Sequence, residues 1–287
     1  MIVSFHPVFE ADQNILCAGR EPVAEDLAAI KAADAVVLPQ GCRQSLYEMA
    51  TENCRHVFPN YDARFDYPGK LGQIHLFQET GTAHPPAETY NSLDAFRQQY
   101  GNNIEDIAFK LPCVFKFNWG GEGETVYLLT STEDLQDVLR KAADFERSGQ
   151  KGFLLQQYVT TQGKTLRVVI IGQRLISYWR IQEDTEAFKS SVSEGARIDA
   201  ALSPERQKVA MEFVKGFCSK TGINLAGFDV IFAPANKGIN PLLLEINYFF
   251  GRRGLGGSEA YYRILKQEIK NWLGNRLGKQ ELLNFKR

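Results

Sequence analysis

Apolar and polar positions repeat with two different periods along this chain, and the places where the period switches mark its elements. Short apolar runs at 2–5, 35–39 and 56–59 read as strands, with helical patterns at 22–33 and 44–53 between them. The first helix has Pro22 at its opening position and Glu25 and Asp26 in its first turn, where carboxylates favour the positive end of the helix dipole. Strands alternating with helices predict a small parallel α/β sheet. A helix over 70–79, closed by Gly81, follows, and His84-Pro85-Pro86 then breaks the chain.

A second stretch opens with the strand Val114-Phe115-Lys116-Phe117, runs through a glycine-rich loop at 118–124 and returns as a strand at 125–129. Ser131 and Asp134 form a capping box for a helix whose apolar positions Leu135, Val138, Leu139, Ala142 and Phe145 share one face. Gly149 stops it, and a strand at 153–159 closes a β-β-α-β unit. In the third stretch, apolar runs at 166–171 and 175–181 joined by Gly172-Gln173 predict a hairpin. The polar segment 182–200 reads as a loop. A helix at 204–220 has Ser203 as its expected cap and Pro204 at its first position. Strands at 227–233 and 242–248, a helix at 259–273 and a polar tail complete the chain. The expected units are 1–75, 76–160 and 161–287.

Composition narrows the function classes. Thirty-three basic against thirty-four acidic residues leave a net charge of −1, with no basic stripe or polybasic anchor, so neither nucleic acid nor a membrane surface is an expected partner. The longest apolar runs are far too short to span a bilayer, and the N-terminal residues lack the charged-then-apolar order of a signal peptide. Five scattered cysteines with no CxxC pair argue against a disulfide framework or zinc site, which fits a reduced, cytoplasmic setting.

Three groups of residues carry candidate chemistry. Glu245 and Asn247 lie two apart in a strand and so share a face. If the strand of Asp229 pairs with it in a hairpin whose partners sum to 474, Asp229 faces Glu245. Like charges about 5 Å apart across strands repel. Two carboxylates and an amide oxygen make a set suited to Mg²⁺, which would remove the conflict; the other reading is a solvent-facing acidic pair. Lys116 sits inside an apolar strand that runs straight into Gly120, Gly121 and Gly123, where bare backbone can approach phosphate oxygens. An ordinary turn between strands is the bland alternative. The GxxxxGK[ST] and GxGxxG fingerprints are absent, which disfavours a Walker NTPase and a dinucleotide fold. Arg167 and Arg180 lie within the apolar hairpin strands, an awkward place for charge unless an anion waits there. Lys189, and Arg252 and Arg253 in a glycine-bracketed loop, extend the cationic set; for the loop pair, solvated surface arginines are the competing reading.

The order of these parts from about Lys70 to Leu273 resembles the ATP-grasp superfamily, closest to its RimK-like and glutathione synthetase-like branch. Lys70 resembles the family lysine that opens the helix before the grasp. Gly81-Thr82-Ala83-His84-Pro85 is similar to its "G-I-P-x-P" turn, and Lys116 with its glycine loop to its phosphate-binding strand. Leu155-Gln156-Gln157-Tyr158-Val159 looks like the adenine-reading hinge, Gly163-Lys164-Thr165-Leu166-Arg167-Val168 like "G-x-D-x-R-V", and Phe188-Lys189-Ser190-Ser191 like "F-R-S-N". The resemblance implies an α/β ATP-grasp fold with an N-terminal Rossmann-like lobe. It implies ATP over Ile231 and Leu244, and Mg²⁺, replaceable by Mn²⁺, on Asp229, Glu245 and Asn247. It also implies Arg167, Arg180 and Lys189 in catalysis, and Ser191 near the triphosphate. The implied reaction activates a carboxylate as an acyl-phosphate for attack by an amine or thiol, with small-molecule or peptide substrates and Arg252 and Arg253 at the carboxylate. Self-association into a homo-oligomer is left open. Departures stand at Gln157 (usually Glu), Thr165 (usually Asp), Lys189 and Ser191 (usually Arg and Asn), and in Asn247-Tyr248-Phe249-Phe250-Gly251, where the family has "N-x-S-P-G". A kinase-like transfer to a hydroxyl and a catalytically silent nucleotide-binding protein are the two alternatives.

Overall fold

The computed structural model describes residues 1–101, 107–121, 123–183, 195–233 and 239–278. The expected calls at Lys189 and Ser191 lie outside the described residues. The first sheet has four parallel strands: β1 (Ile2–Ser4), β2 (Gln13–Asn14), β3 (Ala35–Val37) and β4 (Val57–Phe58), ordered β2-β1-β3-β4. Helices α1 (Ala24–Lys31) and α2 (Gln44–Asn53) cover one face. The two-residue period of a strand explains how β3 serves two cores. Val36 packs with Ile30, Leu46 and Ala50, while Ala35 and Val37 pack toward Tyr261, Leu265 and Ile269 of the last helix.

After a short helix α3 (Asp62–Asp66), helix α4 (Gly69–Glu79) straddles the expected boundary at 75, and its Leu71, Ile74 and Phe77 join the core of the third sheet. The second sheet is antiparallel, in order β5-β8-β6-β7, from β5 (Ala87–Tyr90), β6 (Cys113–Phe117), β7 (Val126–Leu129) and β8 (Phe153–Gln157). Helices α5 (Leu93–Tyr100) and α6 (Thr132–Arg147) back it, with Phe115, Phe117 and Phe153 packed beneath them. The expected capping box is present, Ser131 Oγ accepting from the Asp134 amide.

The third sheet runs β11-β10-β9-β12-β13, all antiparallel: β9 (Lys164–Ile171), β10 (Arg174–Ile181), β11 (Arg197–Asp199), β12 (Leu225–Phe232) and β13 (Pro241–Asn247). Helix α7 (Pro204–Thr221) buries Ala210, Val214 and Phe217 against Leu166, Val168 and Ile170 on one face. Ser203 does not cap it: the backbone there is left-handed (φ 46°) and its side chain makes no capping bond. Helix α8 (Gly257–Leu277) covers Val169, Ile171 and Leu225 on the other face, but only over part of the sheet. The uncovered part of that face carries Arg167, Arg180, Asp229, Glu245 and Asn247. Among the described residues no helix is long and apolar enough to cross a membrane.

Edge strand β13 is protected at the point that matters. The Gln73 side chain of α4 both donates to the Ile246 carbonyl (2.9 Å) and accepts from its amide (2.8 Å), and the Leu243 amide donates to Ala83 O. A sheet edge left open would pair with foreign chains; here it is tied on either side of Glu245.

Candidate functional site

A cavity of about 490 Å³ lies between the inner faces of the second and third sheets. The 474-sum register holds at Phe228–Ile246 and at Asp229–Glu245, and then slips by one residue between Asp229 and Val230. This bulge decides the site. Strict alternation would send Leu244 and Glu245 to opposite faces, but an extra residue in one strand lets two neighbours share a side. Leu243 and Ile246 enter the core beneath α7, while Leu244, Glu245 and Asn247 all line the cavity. Ile231 lines it beside Leu244.

Asp229 is buried and fully engaged. Arg167 Nε donates to Oδ1 at 2.6 Å and its Nη2 to Oδ2 at 3.3 Å, while Arg180 Nη2 reaches Oδ1 at 2.7 Å. Asn247 Nδ2 adds a contact to Oδ2 at 3.3 Å. Burial pushes the carboxyl up, but the two guanidinium groups outweigh it and hold its pKa at about 2. Burial likewise opposes the charge of Arg167, yet Asp229 holds its pKa above the ordinary arginine value. The expected repulsion between Asp229 and Glu245 is therefore relieved in part by the two arginines on Asp229. Arg180 is further fixed by Thr165, whose Oγ1 accepts from its Nε and Nη2 (3.2 and 3.0 Å). Glu245, opposite, takes part in none of the ion pairs among the described residues.

The facing wall is the cavity side of β6 and β8, where Val114, Lys116 and Gln156 alternate with the aromatic core residues. Lys116 is buried, and burial lowers its pKa to about 8, only partly offset by Glu245 and Asp229. Lys70 does not line the cavity. Its Nζ donates to the Trp119 and Gly120 carbonyls (2.8 and 2.9 Å), tying α4 to the glycine loop. Burial lowers its pKa as well, with Glu245 opposing. Asn118 completes the tie by accepting from the Leu71 amide at 3.0 Å, an N-cap supplied from another element. Gly69 allows this: its φ is +70°, and a Cβ there would meet Asn118 Oδ1 at 2.3 Å. Of the loop glycines, Gly123 lines the cavity, whereas Gly120 and Gly121 do not. Gly120 instead holds a left-handed turn against Thr125. In the hinge, Gln157, Tyr158 and Val159 line the cavity, and the Gln157 amide is committed to Pro86 O at 2.9 Å.

The far end of the cavity is the loop after Asn247. Arg252 and Arg253 both line it. Arg252 lies over the rings of Tyr261 and Tyr262 (4.8 and 4.5 Å to the centroids), while Arg253 is exposed. Gly254 packs on Tyr178 so closely that a Cβ would fall 2.2 Å from the ring. Tyr178 and Phe249 carry no expected role here, whereas Gln156 lies within the expected hinge 155–159. Its face follows from periodicity, since it lies opposite Val114 on the same face as Lys116.

The family model of the RimK-like ATP-grasp domain matches residues 84–269, well over half of the chain and every strand of the two sheets that wall this cavity. The chain belongs to the RimK-like ATP-grasp family. It is 27 % identical over 178 residues to a protein of Pectobacterium carotovorum named a probable alpha-L-glutamate ligase, covering 61 % of this chain and 51 % of that one. A likewise named protein of Xanthomonas campestris is 28 % identical over 55 % of this chain and 53 % of its own length. The chain thus spans about half the length of these curated relatives. Among solved structures, a RimK domain ATP-grasp protein from Sphaerobacter thermophilus superposes with a TM-score of 0.61 at 11 % identity, over 93 % of this chain and 98 % of that one. N5-carboxyaminoimidazole ribonucleotide synthetase from Thermotoga maritima gives 0.60 at 15 % identity, over 95 % and 68 %. These likenesses show the ATP-grasp fold, with the N-terminal parallel sheet and two antiparallel sheets described here.

Proposed function

We propose that the chain is an ATP- and Mg²⁺-dependent ligase that activates a carboxylate as an acyl-phosphate for attack by an amine. The observation that supports this most is the convergence, in one cavity, of a desolvated lysine with an Arg-Asp-Arg cluster and a glutamate that forms no ion pair among the described residues. Val114, Ile231, Leu244 and the hinge give an apolar slot for the adenine. Lys116 would act as a point charge on the phosphates, and Arg167 and Arg180 would neutralise charge as the γ-phosphoryl group leaves ADP for the carboxylate oxygen. The amine nitrogen then attacks the acyl carbon and inorganic phosphate departs.

Among the described residues no cluster of three or more His, Cys, Asp or Glu side chains is present, and the donors the cavity offers a cation are two carboxylates and an amide oxygen. That donor set suits Mg²⁺, which keeps waters and phosphate oxygens in its shell. Glu245, Asn247 and Asp229 would hold it, with the arginines on Asp229 shared with the phosphates. When bound it would supply charge neutralisation on the triphosphate. The relatives' name makes L-glutamate the first amine to try.

Phosphate release should require ATP, Mg²⁺, a carboxylate and an amine together, and mass spectrometry should find the condensed product. Glu245→Gln should abolish that release. Undiminished Mg²⁺-dependent turnover in Glu245→Gln would sink the site assignment, and ADP formation with a hydroxyl acceptor and no amine would replace the ligase with a phosphotransferase.

A further inference from the structure

Beyond the metal strand the cavity ends in a wall with an unusual surface. Phe249 lines it and is 63 % exposed, the one phenylalanine among the described residues left so open. It stands where the motif this loop resembles has a serine. The ring is not loose. The Arg64 guanidinium lies 5.0 Å from its centroid and is itself held over Tyr61 and Phe65 (5.0 and 4.8 Å), with Nη1 donating to Gln40 O at 3.3 Å. At the ring edge, a Cβ on Gly41 would come within 3.2 Å of Phe249 Cε1, so the backbone of the N-terminal lobe abuts it. An aromatic surface held in place yet left in water is arranged for a partner rather than for the core.

Arg252 and Arg253 line the same end. Neither forms an ion pair with a carboxylate among the described residues; Arg252 is oriented by its two tyrosines and by Ser258 at 3.4 Å. We propose that this end is a subsite for an aromatic carboxylate, an amino acid or chain-terminal residue whose ring stacks on Phe249 while its carboxylate pairs with Arg252 or Arg253. The inference rests on the ligase reading and names the substrate to be activated. An aliphatic dicarboxylate would satisfy the arginines but leave Phe249 wet. A flat ring buries that face, and a carboxylate matches the guanidinium fork.

Calorimetry on the 287-residue chain, saturated with Mg²⁺ and a non-hydrolysable ATP analogue, tests this with N-acetyl-L-phenylalanine, N-acetyl-L-leucine and N-acetyl-L-glutamate. The acetyl group blocks the amine, so that only the carboxylate subsite is read. The phenylalanine derivative should bind at least ~10-fold more tightly than either of the others. Phe249→Ala should erase that preference and Phe249→Trp should keep it, with analogue affinity within about twofold in both. Equal binding of the three probes, no binding of any, tighter binding of the glutamate derivative, or a preference that survives Phe249→Ala would each overturn the subsite while leaving the ligase reading standing. Failure of the ATP analogue to bind the unmodified chain would overturn both.

Discussion

The two walls of the cavity hold charge in opposite ways. On the β6 wall a single ammonium, Lys116, stands among apolar strands with nothing bonded tightly enough to offset its burial, and its pKa falls to about 8. On the β12 wall Asp229 is just as buried, yet two arginines hold its pKa at about 2. The first wall stores unsatisfied charge and the second stores paired charge. A polyanion placed between them relieves the first at no loss, but has to compete for the arginines of the second. Preorganised cations aimed at a phosphate are most effective when they are desolvated beforehand, and under the proposed function the burial of Lys116 would serve that end.

The largest effect that could break this comparison is on the paired wall. Asp229→Asn removes the anion from between two buried guanidinium groups and should destabilise the chain by about 3–5 kcal/mol, the cost of uncompensated buried charge. Glu245→Gln, directly across the ladder, should cost about 0.5 kcal/mol or less, since Glu245 has no ion pair among the described residues. Urea denaturation of the two variants measures the difference. Equal costs would mean that the arginines are not what Asp229 holds in place. The contrast also changes the choice of active-site variant: loss of activity in Asp229→Asn would mix folding with catalysis, whereas Glu245→Gln separates them.

The unpaired wall gives the next effect, with the sign reversed. The folded-state pKa of Lys116 is depressed from 10.5 to about 8, so below pH 8 the folded chain carries a penalty that the unfolded chain does not. Between about pH 8 and 10.5 the unfolded state binds more protons than the folded one, and unfolding free energy therefore rises with pH. The contribution is about 3 kcal/mol over that window. Lys116→Met should be more stable at pH 7 and should lack this rise. Nucleotide binding should move the other way: the variant should lose roughly 1.5–3 kcal/mol for ATP and ADP and almost nothing for adenosine. Parallel pH titrations of stability for parent and variant that superimpose would show that Lys116 is not strained.

The comparison also shows where sequence reading stops. The faces of Lys116, Glu245 and Asn247 follow from a period of two, and the pairing of Asp229 with Glu245 follows from a single hairpin assumption; local rules suffice for both. The bulge does not follow, because neither Gly nor Pro marks it and Leu243-Leu244 is uniformly apolar. The neutralisation of Asp229 joins β9 and β12 across 62 residues, a pairing that no local pattern encodes. The same holds for Asn118 capping α4 and for Gln73 clasping Ile246. Strand β5 leaves no periodic signal because its Ala-Glu-Thr-Tyr run is an edge strand, half-buried and polar. The resemblance places Lys70 near the nucleotide; its Nζ donates to two carbonyls of the glycine loop, Trp119 O and Gly120 O, contacts visible only once α4 and the loop are brought together.

The smallest effect concerns Tyr248, which packs behind the β12 wall against the N-terminal lobe. Its carbonyl accepts from Gln40 Nε2 at 2.8 Å, which anchors the start of the loop that carries Phe249, Arg252 and Arg253. Its ring packs edge-on against Tyr61 in the seam between the N-terminal sheet and the third sheet. The hydroxyl, however, is buried with no hydrogen-bond partner among the described residues. Burial raises its pKa well above the usual tyrosine range, so it stays neutral throughout the working range of the chain. A neutral hydroxyl taken from water without a replacement partner is a cost carried by the folded state, and deleting it leaves the ring's packing intact. Tyr248→Phe should therefore stabilise the chain by up to about 1 kcal/mol, with the loop and nucleotide binding unchanged. A loss of similar size in thermal or urea unfolding would mean that a buried water holds the hydroxyl. The seam would then belong with the paired wall rather than with Lys116.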